Sequence, residues 1–198
     1  MQKTPYVEVN PRVAGQIAVY FDRAPNMPGD PFVQQVYNAL IRETSRQFGV
    51  LKKLVKIEPY GDDMVPYRDS AEMMDDVRKN RHLWVYSGGE THPLLGQRAN
   101  WMFRAIHDFF GHAAQGFGFG PRGEENAWLE HSKLFSPAAR MALTTETRGQ
   151  NSWVNFGPYR NLPPAKRPYA KQKVFVLPRP FLTHPEFMKA YRKWPWFL

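Results

Sequence analysis

Two histidines five residues apart, His107 and His112, sit in the apolar run Arg104-Ala105-Ile106-His107-Asp108-Phe109-Phe110-Gly111-His112. Downstream come Glu124, His131 and Glu146, so three of the chain's six histidines fall within 25 residues. Neutral imidazole and carboxylate together are ligands that suit iron, zinc and manganese. The chain has no cysteine, which excludes a thiolate zinc site, an iron–sulfur cluster, a disulfide framework and a cysteine nucleophile. The expected chemistry is that of a metal held by histidine and carboxylate.

Helix geometry constrains the pair. Residues spaced i,i+4 lie about 40° apart around an α-helix axis, whereas i,i+5 residues lie about 140° apart. His107 and His112 therefore share one ion only if the helix is broken between them. Gly111 is the residue that tolerates such a break. Glu146 is the expected third ligand. Its helical neighbours Ala139, Ala142, Leu143, Gly149 and Trp153 form a small, apolar face that would bury the carboxylate, and a buried carboxylate needs a cation. A salt bridge from Glu146 to Arg104 or Arg148 is the alternative.

Glu124 and His131 lie seven apart on one helical stripe with Ala127, Trp128 and Phe135. They are expected to orient a ligand or to serve in catalysis, Glu124 or His131 as general base; a second metal is the alternative. Asp108, beside a ligand, is expected to accept a hydrogen bond from it or to pair with Arg104. Phe109, Phe110, Phe117, Gln150 and Trp153 are the expected lining of a substrate pocket. The loop at 116–123 superficially resembles a phosphate cradle. It leads into Glu124 and Glu125, which would repel phosphate, and no Lys-Ser/Thr follows it. A lid carrying Phe117 and Phe119 is the preferred reading.

The segment His107-Asp108-Phe109-Phe110-Gly111-His112 resembles the H-E-x-x-G-H motif of the pterin-dependent aromatic amino acid hydroxylases. Asp108 stands where that family has Glu, and Ala113 where it has proline. Thr145-Glu146-Thr147 falls at a distance comparable with the family's ligating glutamate. The resemblance covers about 50 residues and implies a 2-His-1-carboxylate set of His107, His112 and Glu146 holding Fe(II), with open positions for dioxygen. The family's pterin-binding segments and its substrate-carboxylate arginine find no match here. His107-Asp108 also resembles the central dyad of HD-type phosphohydrolases, with His82 upstream. That family closes its site with a later Asp, which this chain lacks after Asp108. The expectation is a non-haem iron oxygenase acting on an aromatic or heterocyclic small molecule. A metal-dependent hydrolase is the alternative, and a basic nucleic-acid-binding or assembly protein with structural histidines is the reading without catalysis.

These residues need a scaffold. At 198 residues with 42% hydrophobic and 15% aromatic content, the chain suits one domain with a real core. The expected class is α+β, predominantly helical with three or four short strands. A catalytic domain spans 1–156, with the metal-binding helices at 97–156. Residues 1–15 suggest an extended arm and 16–21 a strand. Asp30-Pro31 opens a helix over 31–48; a strand follows at 51–57, a helix capped by Ser70 at 70–80 and a strand at 83–86. Helices are expected from Asn100, from Glu124 to Phe135, and from a Ser136-Pro137 cap to about Arg148.

The net charge of +9 is uneven. Residues 157–198 carry nine Lys/Arg against Glu186 alone, while 1–156 are nearly balanced. This basic, aromatic, Pro-rich segment is expected to wrap the domain, with nucleic-acid contact as the rival reading. It holds a β-like run at 173–177 and a last helix beginning near Thr183 and Pro185. No secretory leader or membrane-spanning run is visible, so no membrane partner and a cytoplasmic location are expected.

Overall fold

The computed structural model describes residues 6–61 and 65–184. The fold is α+β and predominantly helical. Helix α1 (Pro11–Arg23) starts at Asn10, whose side chain accepts from the Arg12 and Val13 amides. The expected arm and strand are thus a helix from Pro11 on. Ala14, Ile17, Ala18 and Phe21 recur at three- and four-residue spacing and are buried, while Val19 and Tyr20 are exposed. The helical period of the buried residues prevails over their β propensity. Helix α2 (Pro31–Leu51) begins as its sequence dictates, with Asp30 accepting from the Val33 amide at 2.9 Å. It passes Gly49 and ends at buried Leu51, which moves the next strand later than expected.

Strand β1 (Lys56–Tyr60), helix α3 (Ser70–Asn80) and strand β2 (His82–Tyr86) form a β–α–β unit. The strands pair in parallel, Lys56 opposite His82 through Tyr60 opposite Tyr86, and are the only strands among the described residues. The cap of α3 is Asp69, one residue before the expected Ser70.

Helix α4 (Gly96–Ile106) runs into a π-helical segment, π1 (His107–Ala113). Helices α5 (Pro121–Ser132) and α6 (Pro137–Thr144) follow. A second π-helical segment, π2 (Thr145–Gly149), leads to α7 (Gln150–Phe156). Ser136 caps α6 as expected and is itself held by Glu43 through both its amide and its hydroxyl. Helix α2 packs against α4 and α6, α5 against π1, and α1 against α7. The main core gathers Tyr37, Leu40, Leu83, Ile106, Trp128 and Leu143. A smaller one gathers Ile17, Phe21, Phe175 and Leu177.

The run at 173–177 is not a strand, yet Val174, Phe175 and Leu177 are buried. It is pinned to the loop between α1 and α2, where the Met27 amide donates to Val174 O and the Val174 amide to Asn26 Oδ1. Lys173 Nζ donates to the end of α1 at Phe21 O and Asp22 O. The helix expected after Pro185 lies outside the described residues. Among the described residues no helix is long and apolar enough to cross a membrane.

Candidate metal centre

The His107/His112 spacing is accommodated by a change of helix type rather than by a helix end. In a π-helix the backbone bonds run i→i+5, so residues five apart stack one turn above each other. The Ala114 amide reaches Phe109 O, an i→i+5 bond of 2.8 Å. The two imidazoles consequently come together, ring centroids 4.9 Å apart and edge to face. Gly111 lies between them. A Cβ there would meet both the His107 ring and the Ala127 methyl at 3.3 Å, so glycine admits α5 close to π1.

That close approach brings Glu124, in the first turn of α5, to the histidines. Its Oε2 is 3.6 Å from His107 Nε2 and 3.5 Å from His112 Nε2. His107, His112 and Glu124 form a group that could hold a metal ion, with one ligand atom from each within 4.8 Å of the others. Neighbouring ligand atoms on an ion with bonds of about 2.1 Å sit about 3.0–3.4 Å apart, so small side-chain shifts would close the set.

Hydrogen bonds behind the histidines set their tautomers. Gln47 Nε2 donates to Leu134 O, which leaves Gln47 Oε1 to accept from His131 Nε2 at 3.2 Å. His131 then presents an Nδ1 lone pair to His107 Nδ1, also at 3.2 Å, and His107 donates there. His112 Nδ1 donates to Phe117 O at 3.2 Å. In their neutral forms both histidines thereby present an Nε2 lone pair beside the Glu124 carboxylate. His131 is fully buried among Phe103, Phe110 and Phe135. Burial, with the charges of His107 and His112, holds its pKa well below the usual imidazole range, so it stays a neutral acceptor. Burial pushes the Glu124 carboxyl up, but His112 and His107 outweigh it and hold it at about 2. Burial likewise lowers His112, and the Glu124 charge more than restores it, so its pKa is raised.

His131→Ala should weaken metal affinity by about 10–100-fold, because His107 loses the acceptor that fixes its tautomer and ring orientation. Competition against a chelator of known affinity checks this. An unchanged affinity would show that the His131 contact does not prepare His107.

Glu146, the expected ligand, stands apart from the group. It lies in π2, where the Gln150 amide bonds back to Thr145 O. Its carboxylate meets the Tyr37 hydroxyl at 2.5 Å and Gln150 Nε2 at 2.7 Å. His92 Nε2 lies 3.1 Å from it, off the direction a hydrogen bond needs. His92 Nδ1 accepts from the Leu94 and Leu95 amides, so the ring carries its proton on Nε2, toward Glu146. Burial, then the Glu146 charge, raise the Tyr37 pKa far above the usual phenol value, keeping it a donor. Neither alternative salt bridge forms: Arg104 bonds Tyr86 O and Gly88 O, and Arg148 pairs with Glu125.

A cavity of about 640 Å³ opens beside the group, with His107, Asp108, Glu124, Glu146 and Gln150 in its wall. Burial pushes the Asp108 carboxyl up to about 6 against the lowering charges of His107 and His112. It forms no ion pair with Arg104 among the described residues. Of the expected pocket residues, Gln150 lines the cavity, whereas Phe109, Phe110, Phe117 and Trp153 do not. Phe109 and Phe110 pack on the main core, Phe117 is buried against Tyr6, and Trp153 donates to Asp22 and packs on the smaller core. Phe119, from the glycine loop, lies at the cavity and packs edge-on to His112.

Glu124 carries a sequence signal, since a carboxylate on an apolar helical stripe asks for a buried partner. Tyr37, Gln47 and His92 carry none, because each comes from an element remote in sequence. Comparison of the chain with protein-family models, curated proteins and solved structures gave no match, so the function must be argued from this site alone.

Proposed function

We propose that the chain is a mononuclear metal enzyme that binds Fe(II) through His107, His112 and Glu124 and oxidises a small polar molecule with dioxygen. The observation that carries this reading is the pair of imidazole Nε2 atoms held beside one carboxylate at the wall of a cavity. Two histidines and one carboxylate suit Fe(II), Zn(II) and Mn(II), and Fe(II) in such a set supplies dioxygen activation at the positions the protein leaves open. His131 and Phe117 O keep the imidazoles aimed, and Phe119 packs edge-on to His112. Phe103, Tyr86 and Phe119 offer ring surfaces, and Gln150, Asn151 and Asn155 offer polar contacts, which together suit an aromatic or heterocyclic substrate with polar substituents.

Metal-assisted hydrolysis is the second reading. It is favoured by Asp108, which lines the same cavity, has no hydrogen bond among the described residues and has a carboxyl raised to about 6, near the range of a general base. Glu124, as a ligand, is no longer available for that role.

Nitric oxide separates the two. Protein loaded with Fe(II) without oxygen and then exposed to nitric oxide should give an iron–nitrosyl electron paramagnetic resonance signal, retained in Glu146→Gln. No such signal at full iron occupancy would remove the open coordination position and with it the oxygenase reading.

A further inference from the structure

Arg148, which is buried, and Arg104, which is half-buried, lie near the site, and their guanidinium edges differ. Arg148 uses its Nε/Nη2 edge to meet both oxygens of Glu125, at 3.1 and 2.6 Å. This side-on fork matches the two oxygens of a carboxylate or phosphate. Arg104 spends Nη1 on Tyr86 O at 3.0 Å and Gly88 O at 2.9 Å, and its guanidinium lies over the Tyr86 ring at 5.2 Å. Among the described residues its Nε and Nη2 meet no acceptor. Among the described residues no carboxylate lies within ion-pair distance, although Asp108 and Glu146 influence it from farther away.

Arg104 lines the same cavity as His107 and Glu124. It precedes His107 by three residues, a rise of about 4.5 Å along the helix. Its anchored Nη1 and the Tyr86 ring hold the guanidinium in place, so the free edge costs little further ordering when it binds. A partly desolvated guanidinium edge without a hydrogen-bond acceptor is costly, and an incoming oxyanion would relieve that cost.

We infer that the cavity receives an organic anion whose carboxylate or phosphate docks on the Nε/Nη2 edge of Arg104. This rests on the reading of the cavity as the substrate site of the proposed enzyme and narrows the substrate class. Lys171 and Arg167 line the same cavity, as do Glu90, Asp108, Glu124 and Glu146, so recognition rests on the free Arg104 edge and not on the net charge of the wall.

Inorganic phosphate and acetate, titrated separately into the full chain, test the inference and distinguish the two oxyanions. The Arg104 Nε–H resonance should shift saturably with at least one of them. Arg104→Lys keeps the charge but loses the fork, and should weaken that binding about tenfold or more. Arg104→Met should weaken it further. Repeating the titration on His112→Ala, whose metal affinity is lowered, separates anion binding at Arg104 from anion binding to a metal. Retention of anion binding there supports the inference even if the wild-type chain proves to hold no metal. The inference is overturned if neither anion moves the Arg104 resonance, or if Arg104→Lys binds as the wild type does. Metal binding by the wild type in that case would leave the proposed enzyme standing without this substrate class.

Discussion

Arg148→Met should destabilise the protein by about 3–5 kcal/mol, the usual consequence of removing one partner from a buried ion pair. The side chains of Arg148 and Glu125 are 3% and 5% exposed. Arg148 also donates through Nη1 to Phe181 O and Thr183 O, and it stacks on Trp128 at 4.2 Å. The residue thus ties π2, α5 and the described end of the C-terminal segment together. Its loss leaves a carboxylate and two carbonyls unsatisfied in the interior. Equilibrium denaturation in urea should show a lower midpoint, and the double substitution Arg148→Met, Glu125→Gln should recover part of the loss. A single-variant loss below about 1 kcal/mol would show that water reaches this network and that the clasp is weak.

Glu124→Gln should lower metal affinity by more than about 100-fold, beyond the range expected for a residue that only supports a ligand. The amide keeps the shape of the carboxylate but removes the charge that offsets a divalent cation. Glu146→Gln should change affinity by no more than a few-fold, because Glu146 is already engaged by Tyr37 and Gln150 and lies outside the group. Binding should also weaken as pH falls, since the Glu124 charge raises the His112 pKa against burial and a protonated His112 cannot ligate.

Much of the scaffold was legible because its signals are local. Asp30-Pro31 and Ser136-Pro137 opened helices where capping chemistry says they should. The run Leu83 to Tyr86, closed by Gly88-Gly89, marked a true strand. The strand expected at 16–21 failed because Ile17, Val19, Tyr20 and Phe21 favour β locally, while burial of one helical stripe against α7 and the 173–177 run decides the outcome. The histidines were legible as a pair. What joins them was not, since a π-helix has no compositional signature and the sequence offered only Gly111 as a break. The choice between Glu124 and Glu146 was likewise beyond the sequence. Both carboxylates sit on apolar helical faces, and only packing at Gly111 draws α5, and with it Glu124, onto π1. The hydroxylase-like motif pointed to the more distant carboxylate.

The most direct test is the metal content of the wild type, Glu124→Gln and Glu146→Gln, each purified without chelator, loaded anaerobically with Fe(II), passed through a desalting column and assayed by elemental analysis. One iron per chain in the wild type and in Glu146→Gln, with little retained by Glu124→Gln, is the predicted result. Iron retained by Glu124→Gln and lost from Glu146→Gln would contradict the His107–His112–Glu124 centre, and iron absent from all three would contradict an iron centre.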